Sequence, residues 1–208
     1  MKAFFPGCTA ALLLAVAPIV QAASSTDLTV KGIITPSACS PSMSNGGSLD
    51  FGKISSSDLR NDWPTYLPRQ TLQMTVTCEG ATMMALEAKD NREGTEYGGD
   101  DFYKFGLGLI NGTEKLGYLN ISSMNRIADG VAVDGIVSWD GGLTWGREAE
   151  MVDNGLYSLA PTGTLTPVPV TVFTTDLSVL AAIAPAQNLT LDNEVSMDGS
   201  VTITVRYL

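Results

Sequence analysis

The sequence predicts an all-β protein folded as an antiparallel β-sandwich. Short runs of alternating apolar and polar residues recur along the chain, separated by Gly, Asn, Asp and Pro. No helix-period segment exceeds about ten residues. Gly, Ser, Thr and Val are abundant, and long charged helical faces are absent.

The first residues are read apart from that fold. Lys2 supplies a positive start, and Ala10 to Ile19 form an apolar run of about ten residues, where a spanning helix needs roughly twenty. Pro18 and the small residues Val20 and Ala22 complete the pattern of a signal peptide over residues 1–22, cut after Ala22 or one residue later. No later stretch suits a transmembrane segment. Residues 23–208 form a single domain, of which 23–34 are an N-terminal extension leading into the first strand.

Cys8 falls within the signal peptide, which leaves Cys39 and Cys78. An even count in an exported chain predicts a disulfide; the alternative is two buried free thiols. There is no CxxC pair and no histidine, so neither a redox motif nor a Cys/His zinc cluster is expected. Without histidine, any hydrolase would have to use carboxylates, Lys or Tyr. Removing Lys2 leaves 11 Lys+Arg against 22 Asp+Glu, a formal charge of −11. Such an acidic surface argues against nucleic acid or anionic membrane as a partner. No cofactor, metal or catalytic residue is predicted.

Taken in order, Leu28, Val30, Gly32 and Ile34 alternate with Thr29, Lys31, Ile33 and Thr35. Leu49, Phe51 and Ile54 suggest a short strand bent at Gly52. Leu72 to Cys78 alternate cleanly, and Met83 to Ala88 form the next strand. Residues 90–101 read as a polar loop. Phe105, Leu107 and Leu109 alternate with glycines, Asn111-Gly112 marks a turn, and strands follow near Lys115–Ile121 and Val131–Trp139. Ala160–Pro169 reads as a loop or edge. Leu177–Ile183 is a strand or a short helix, ended by Pro185. After a tight turn at Asp198-Gly199, Val201, Ile203, Val205 and Tyr207 share one face of the cleanest strand in the chain.

Two further patterns stand out. Ser138, Asp140, Gly142, Thr144 and Trp145 fit an Asp-box-like hairpin, in which Asp folds back on backbone N–H groups and Trp packs beneath. A packed hairpin is the reading adopted, with a carbohydrate contact by Trp139 or Trp145 as the alternative. One copy does not make a propeller, so a glycosidase is not expected. Asp90, Asp100, Asp101, Asp134, Asp140 and Asp153 fall in loops whose spacing fits no EF-hand, and they read as solvated rather than calcium-binding. Asn111, Asn120 and Asn188 match the N-glycosylation pattern and read as turns and strand ends.

The segments GIITPSACSP (32–41), FGLGLINGTEKLGY (105–118), SWDGGLTW (138–145) and MDGSVTITVRYL (197–208), in this order, resemble the fimbrial-like DUF1120 family, related to pilin subunits of chaperone–usher fimbriae. The resemblance implies an immunoglobulin-like, pilin-like sandwich, complete or lacking one strand, with additional hairpins. In it the disulfide joins the first two strands. It implies donor-strand complementation, a form of β-strand addition. Leu28, Val30, Gly32 and Ile34 would lie on the donor segment, and Val201, Ile203, Val205, Tyr207 and Leu208 would border the acceptor groove and meet the chaperone. The implied partners are a periplasmic chaperone, an outer-membrane usher and neighbouring fimbrial subunits, with a carbohydrate receptor as a further candidate. The implied route runs through the periplasm to the cell surface. Seven residues between the expected cut and Val30 make a short donor, since five alternating pocket residues need about ten. The alternative function is a stand-alone exported lectin-like module.

Overall fold

A computed structural model describes residues 38–99 and 101–208. The expected signal peptide, the donor positions Leu28, Val30, Gly32 and Ile34, and Asp100 lie outside the described residues. No helix among the described residues is long and apolar enough to cross a membrane.

In chain order the strands are β1 (Cys39–Met43), β2 (Thr65–Tyr66), β3 (Gln70–Thr82), β4 (Met84–Asp90), β5 (Phe105–Gly106), β6 (Leu109–Ile110), β7 (Glu114–Lys115), β8 (Gly117–Ala128), β9 (Val131–Ser138), β10 (Gly146–Arg147), β11 (Leu156–Pro161), β12 (Val170–Ile183) and β13 (Val201–Tyr207). Every strand pairing is antiparallel. The path β1-β3-β12-β8-β9-β11-β4-β13 is continuous, but β8 and β9 pair only at their shared turn, through Ile127↔Ala132 and Ala128↔Val131. The path therefore folds there into two layers. One is β1-β3-β12-β8, with β2 and β5 on its flanks; the other is β9-β11-β4-β13, with β10 beside β9. The expected antiparallel sandwich is the fold observed, with the β6–β7 and β9–β10 hairpins added to it.

The layers meet through alternate residues, as a two-residue period requires. Leu72, Met74 and Val76 of β3 and Phe173, Leu177 and Val179 of β12 share a core with Met84 and Leu86 of β4 and Tyr157 and Leu159 of β11. Gly135 of β9 lets this core close. A Cβ there would lie 1.9 Å from the Tyr157 hydroxyl and 2.5 Å from the Glu148 carbonyl oxygen.

Several expectations change. Leu49–Ile54 forms no strand; the chain from Ser44 to Asp58 is irregular between two 3-10 turns, although Gly52 does bend it, with φ 66° and its N–H on Asp50 Oδ1. The Phe105–Leu109 run is split into β5 and β6, because Gly108 takes φ 84°. Asn111 and Gly112, both at positive φ, make the expected turn. Leu177–Ile183 is the second half of the 14-residue β12, not a helix. Asp198-Gly199 is not a tight turn: Gly199 lies in extended chain packed closely on the core, where a Cβ would lie 3.0 Å from the Leu107 and Leu119 side chains. Asn120 lies inside β8 rather than at a strand end, its amide donating to the Tyr103 carbonyl.

Candidate functional site

The two layers do not close on every side. β1 borders one layer and β13 the other, and among the described residues each pairs with one neighbour only. Ala38 O accepts from Glu79 N, so the even-numbered residues of β1 bond to β3 while the backbone of Cys39, Pro41 and Met43 faces outward. Pro41 sits where the ladder needs no N–H. On β13, Asn91 N–H donates to Ser200 O and Leu208 N–H donates to Met83 O. The even-numbered residues again hold the ladder, and the backbone groups of Val201, Ile203, Val205 and Tyr207 face the open edge.

At one end the two edges touch. Cys39 N–H donates to the Tyr207 hydroxyl at 3.0 Å, beside the Cys39–Cys78 disulfide that clamps β1 to β3. At the other end they part around a cleft of about 750 Å³. Its floor is Leu72, Ile121, Leu177 and Val179 of the first layer; Val201 and Ile203 of β13 form one wall. The irregular segments 47–59 and 191–199 form its mouth. Lys53 and Glu194 pair across that mouth at 3.7 Å, both highly exposed, a link of little energetic weight.

The residues expected to border a groove are thus divided. Val201 and Ile203 line the cleft, and Val205 packs against the core between the layers. Tyr207 stands at the closed end, and Leu208 leans on the β9–β10 hairpin, its Cδ2 3.8 Å from the Cβ position of Gly142. Sequence reasoning missed the floor residues Leu177 and Val179 as cleft-lining, and the mouth residues altogether. Alternation marks Leu72 as inward-facing, but nothing local shows which of the buried inward-facing residues border the cleft.

The Asp-box-like hairpin is built as its residues predict. Asp140 Oδ1 accepts from Leu143 N (3.1 Å), Thr144 N (2.9 Å) and Ser138 Oγ (2.7 Å), and Oδ2 accepts from Thr144 Oγ1 (2.6 Å). These bonds, the Thr144 hydroxyl foremost, hold the Asp140 pKa down to about 2. Ser138 Oγ accepts from Gly142 N, and Trp145 Nε1 donates to Gly142 O. Gly141 and Gly142 supply the positive φ values of 75° and 95° that the turn requires.

Of the aspartates expected in loops, Asp134 lies within β9 and Asp90 ends β4, and most of the set is committed to the fold. Asp90 is buried and accepts from Arg92 N and Gly106 N; Asp153 accepts from Asp90 N; Asp134 pairs with Arg147 at 3.2 Å; Asp101 pairs with Lys104 at 3.3 Å. Among the described residues no group of three or more His, Cys, Asp or Glu could hold a metal ion.

Comparison with solved structures finds similarity to the P pilus rod subunit PapA, at TM-score 0.34 and 13% identity, covering 81% of this chain and 99% of that one. Among curated proteins, Protein GltF of Escherichia coli (strain K12) is 30% identical, covering 97% of this chain and 95% of GltF. The uncharacterized protein YhcF of the same strain is 30% identical, covering 90% of this chain and 92% of YhcF. Residues 28–108 match the family described as protein of unknown function DUF1120. With the family match at its start and relatives aligned along nearly its whole length, the chain belongs to the DUF1120 family.

Proposed function

We propose that this protein is a structural subunit of a chaperone–usher type surface fibre, assembled by donor-strand complementation and serving adhesion. The observation that carries the reading is the pair of strands β1 and β13, each with one neighbouring strand among the described residues, bordering one cleft. An incoming strand would pair with the outward backbone groups of Val201, Ile203 and Val205 while its alternate side chains packed beside the half-buried Val201 and Ile203. In this reading the donor is the segment around Leu28, Val30, Gly32 and Ile34 of a neighbouring copy. A periplasmic chaperone fills the cleft beforehand, and an outer-membrane usher oversees the exchange.

The test is complementation. A synthetic peptide of residues 23–37 is added to protein lacking residues 23–31, and thermal unfolding is followed. The expected outcome is a raised melting temperature for the shortened protein, and no such rise in an Ile203→Asp variant. If the shortened protein is a stable monomer whose melting the peptide does not move, the donor-strand reading fails.

A further inference from the structure

A cavity of about 480 Å³ lies on the outer face of the β4–β13 pair, on the side away from the cleft. Outward-facing Glu87 and Arg206 lie on one wall, Trp139 of the hairpin on another, and Asn154 and Tyr207 at the rim. Trp139 is held and yet open. Its ring meets Phe102 edge-on at a centroid distance of 4.4 Å, and a Cβ on Gly155 would lie 3.5 Å from it, yet the side chain is 53% exposed. The Asp140 bonds described above fix the turn that carries it. An indole held by its neighbours beside a cavity loses little conformational entropy when a ligand covers its face.

The polar wall narrows the ligand class. Arg206 Nε donates to Glu87 Oε2 at 2.8 Å, which fixes the guanidinium plane and neutralises both charges locally. The pair still offers the terminal guanidinium N–H donors and the second carboxylate oxygen as acceptor. Asn154 Nδ2 is turned to Asp153, which leaves its carbonyl oxygen as another acceptor. Donors and acceptors side by side suit hydroxyl groups, which are both, and an aromatic face suits the C–H face of a pyranose ring. The local charge is balanced and the chain carries a net charge of −10, so an acidic ligand gains nothing here.

We infer that this cavity is a binding site for a neutral saccharide, one or two pyranose units in size, stacked on Trp139 and hydrogen-bonded by Arg206, Glu87 and Asn154. The site is independent of the fibre reading, because it uses the outward face of β13 while the cleft uses the inward face. It would be present in a stand-alone protein and in a fibre alike.

The experiment is calorimetric titration of the full-length protein with glucose, galactose, mannose, N-acetylglucosamine, lactose and maltose, with glucuronate as the acidic control. At least one neutral sugar is expected to bind with a Kd of about 10 mM or tighter, and glucuronate more weakly. Trp139→Ala and Arg206→Gln should each weaken that binding about tenfold or more, while Trp63→Ala, at an exposed position that does not line this cavity, leaves it unchanged. Near-UV circular dichroism establishes that each variant is folded. If Trp139→Ala does not fold, Arg206→Gln alone decides. No binding by any neutral sugar, preference for glucuronate, or binding unmoved by Arg206→Gln overturns the inference.

Discussion

The backbone N–H of Cys39 donates to the side-chain hydroxyl of Tyr207 across 168 residues of sequence, joining the edge strand of one layer to the edge strand of the other. The bond closes the sandwich at one end of a side that is open at the other. Tyr207→Phe keeps the ring and removes this acceptor. The expected cost is about 1 kcal/mol, with faster hydrogen exchange at the Cys39 amide. Urea denaturation and exchange mass spectrometry measure the two. Unchanged exchange at Cys39 would show that the bond does not hold β1 in place.

The disulfide beside it restrains a larger part of the chain. Cys39 and Cys78 are directly opposite on β1 and β3 and 39 residues apart in sequence. In the chain-entropy account, closing a loop of that size removes roughly 4 kcal/mol of unfolded-state freedom. The double variant Cys39→Ser/Cys78→Ser should lose stability of that order, and the untreated protein should lose a similar amount in reductant. A loss far below this would mean that the reduced unfolded chain keeps β1 near β3.

Gly135 and Tyr157 make a second test of packing. Among the described residues the buried Tyr157 Oη makes no hydrogen bond of good geometry; burial pushes its pKa up, outweighing the nearby Ser123 hydroxyl and Arg126 guanidinium that lower it. Tyr157→Phe removes an unsatisfied polar group and is expected to leave stability unchanged or to raise it by about 1 kcal/mol. Gly135→Ala drives a methyl into the same hydroxyl and into the Glu148 carbonyl, and should cost about 2 kcal/mol or more. Adding Tyr157→Phe to Gly135→Ala should not restore stability, because the Glu148 oxygen, 2.5 Å from the added Cβ, belongs to the backbone. Thermal melts of the single and double variants settle the point.

Asp90 predicts a pH dependence. Burial raises its carboxyl pKa above the ordinary value, outweighing the N–H groups of Gly106 and Arg92 that lower it. Above its ordinary pKa of about 3.9, the unfolded chain releases this proton more readily than the folded one. Its contribution to stability is therefore most favourable at low pH and declines as pH rises towards the raised folded-state value. Beyond that value it is constant. The stability difference between the native protein and Asp90→Asn should change across that window and be flat above it, as measured by urea denaturation over a pH series. A difference that is constant from pH 3 upward, with ~0.5 kcal/mol as the limit of detection, would contradict the assignment.

Two kinds of feature were legible in the amino-acid order. β3, β4 and β13 follow from alternation, since each has one face on the core and one towards solvent, and the period of two survives in the sequence. The Asp140 hairpin follows from local chemistry, because its bonds run within eight consecutive residues. The first half of β12 was missed, as was β11. In β11 the four consecutive residues Tyr157 to Ala160 are all buried, and in the first half of β12 the polar Thr171, Thr174, Thr175 and Asp176 mask the apolar alternation. Leu49, Phe51 and Ile54 are strand-like residues, yet among the described residues no strand pairs with them.

The sequence by itself determined the all-β class, the candidate disulfide pair, the hairpin turn and the strand that ends in Tyr207. Each depends on residue type, spacing or a bond to a near neighbour. Only the tertiary structure decided that the β1 and β13 edges face each other, that Val201 and Ile203 line a cleft while Tyr207 closes its far end, and that Trp139 shares a cavity with Arg206. Those relations join residues tens to more than a hundred positions apart. Their geometry is set by how two sheets pack, and local sequence carries no record of that.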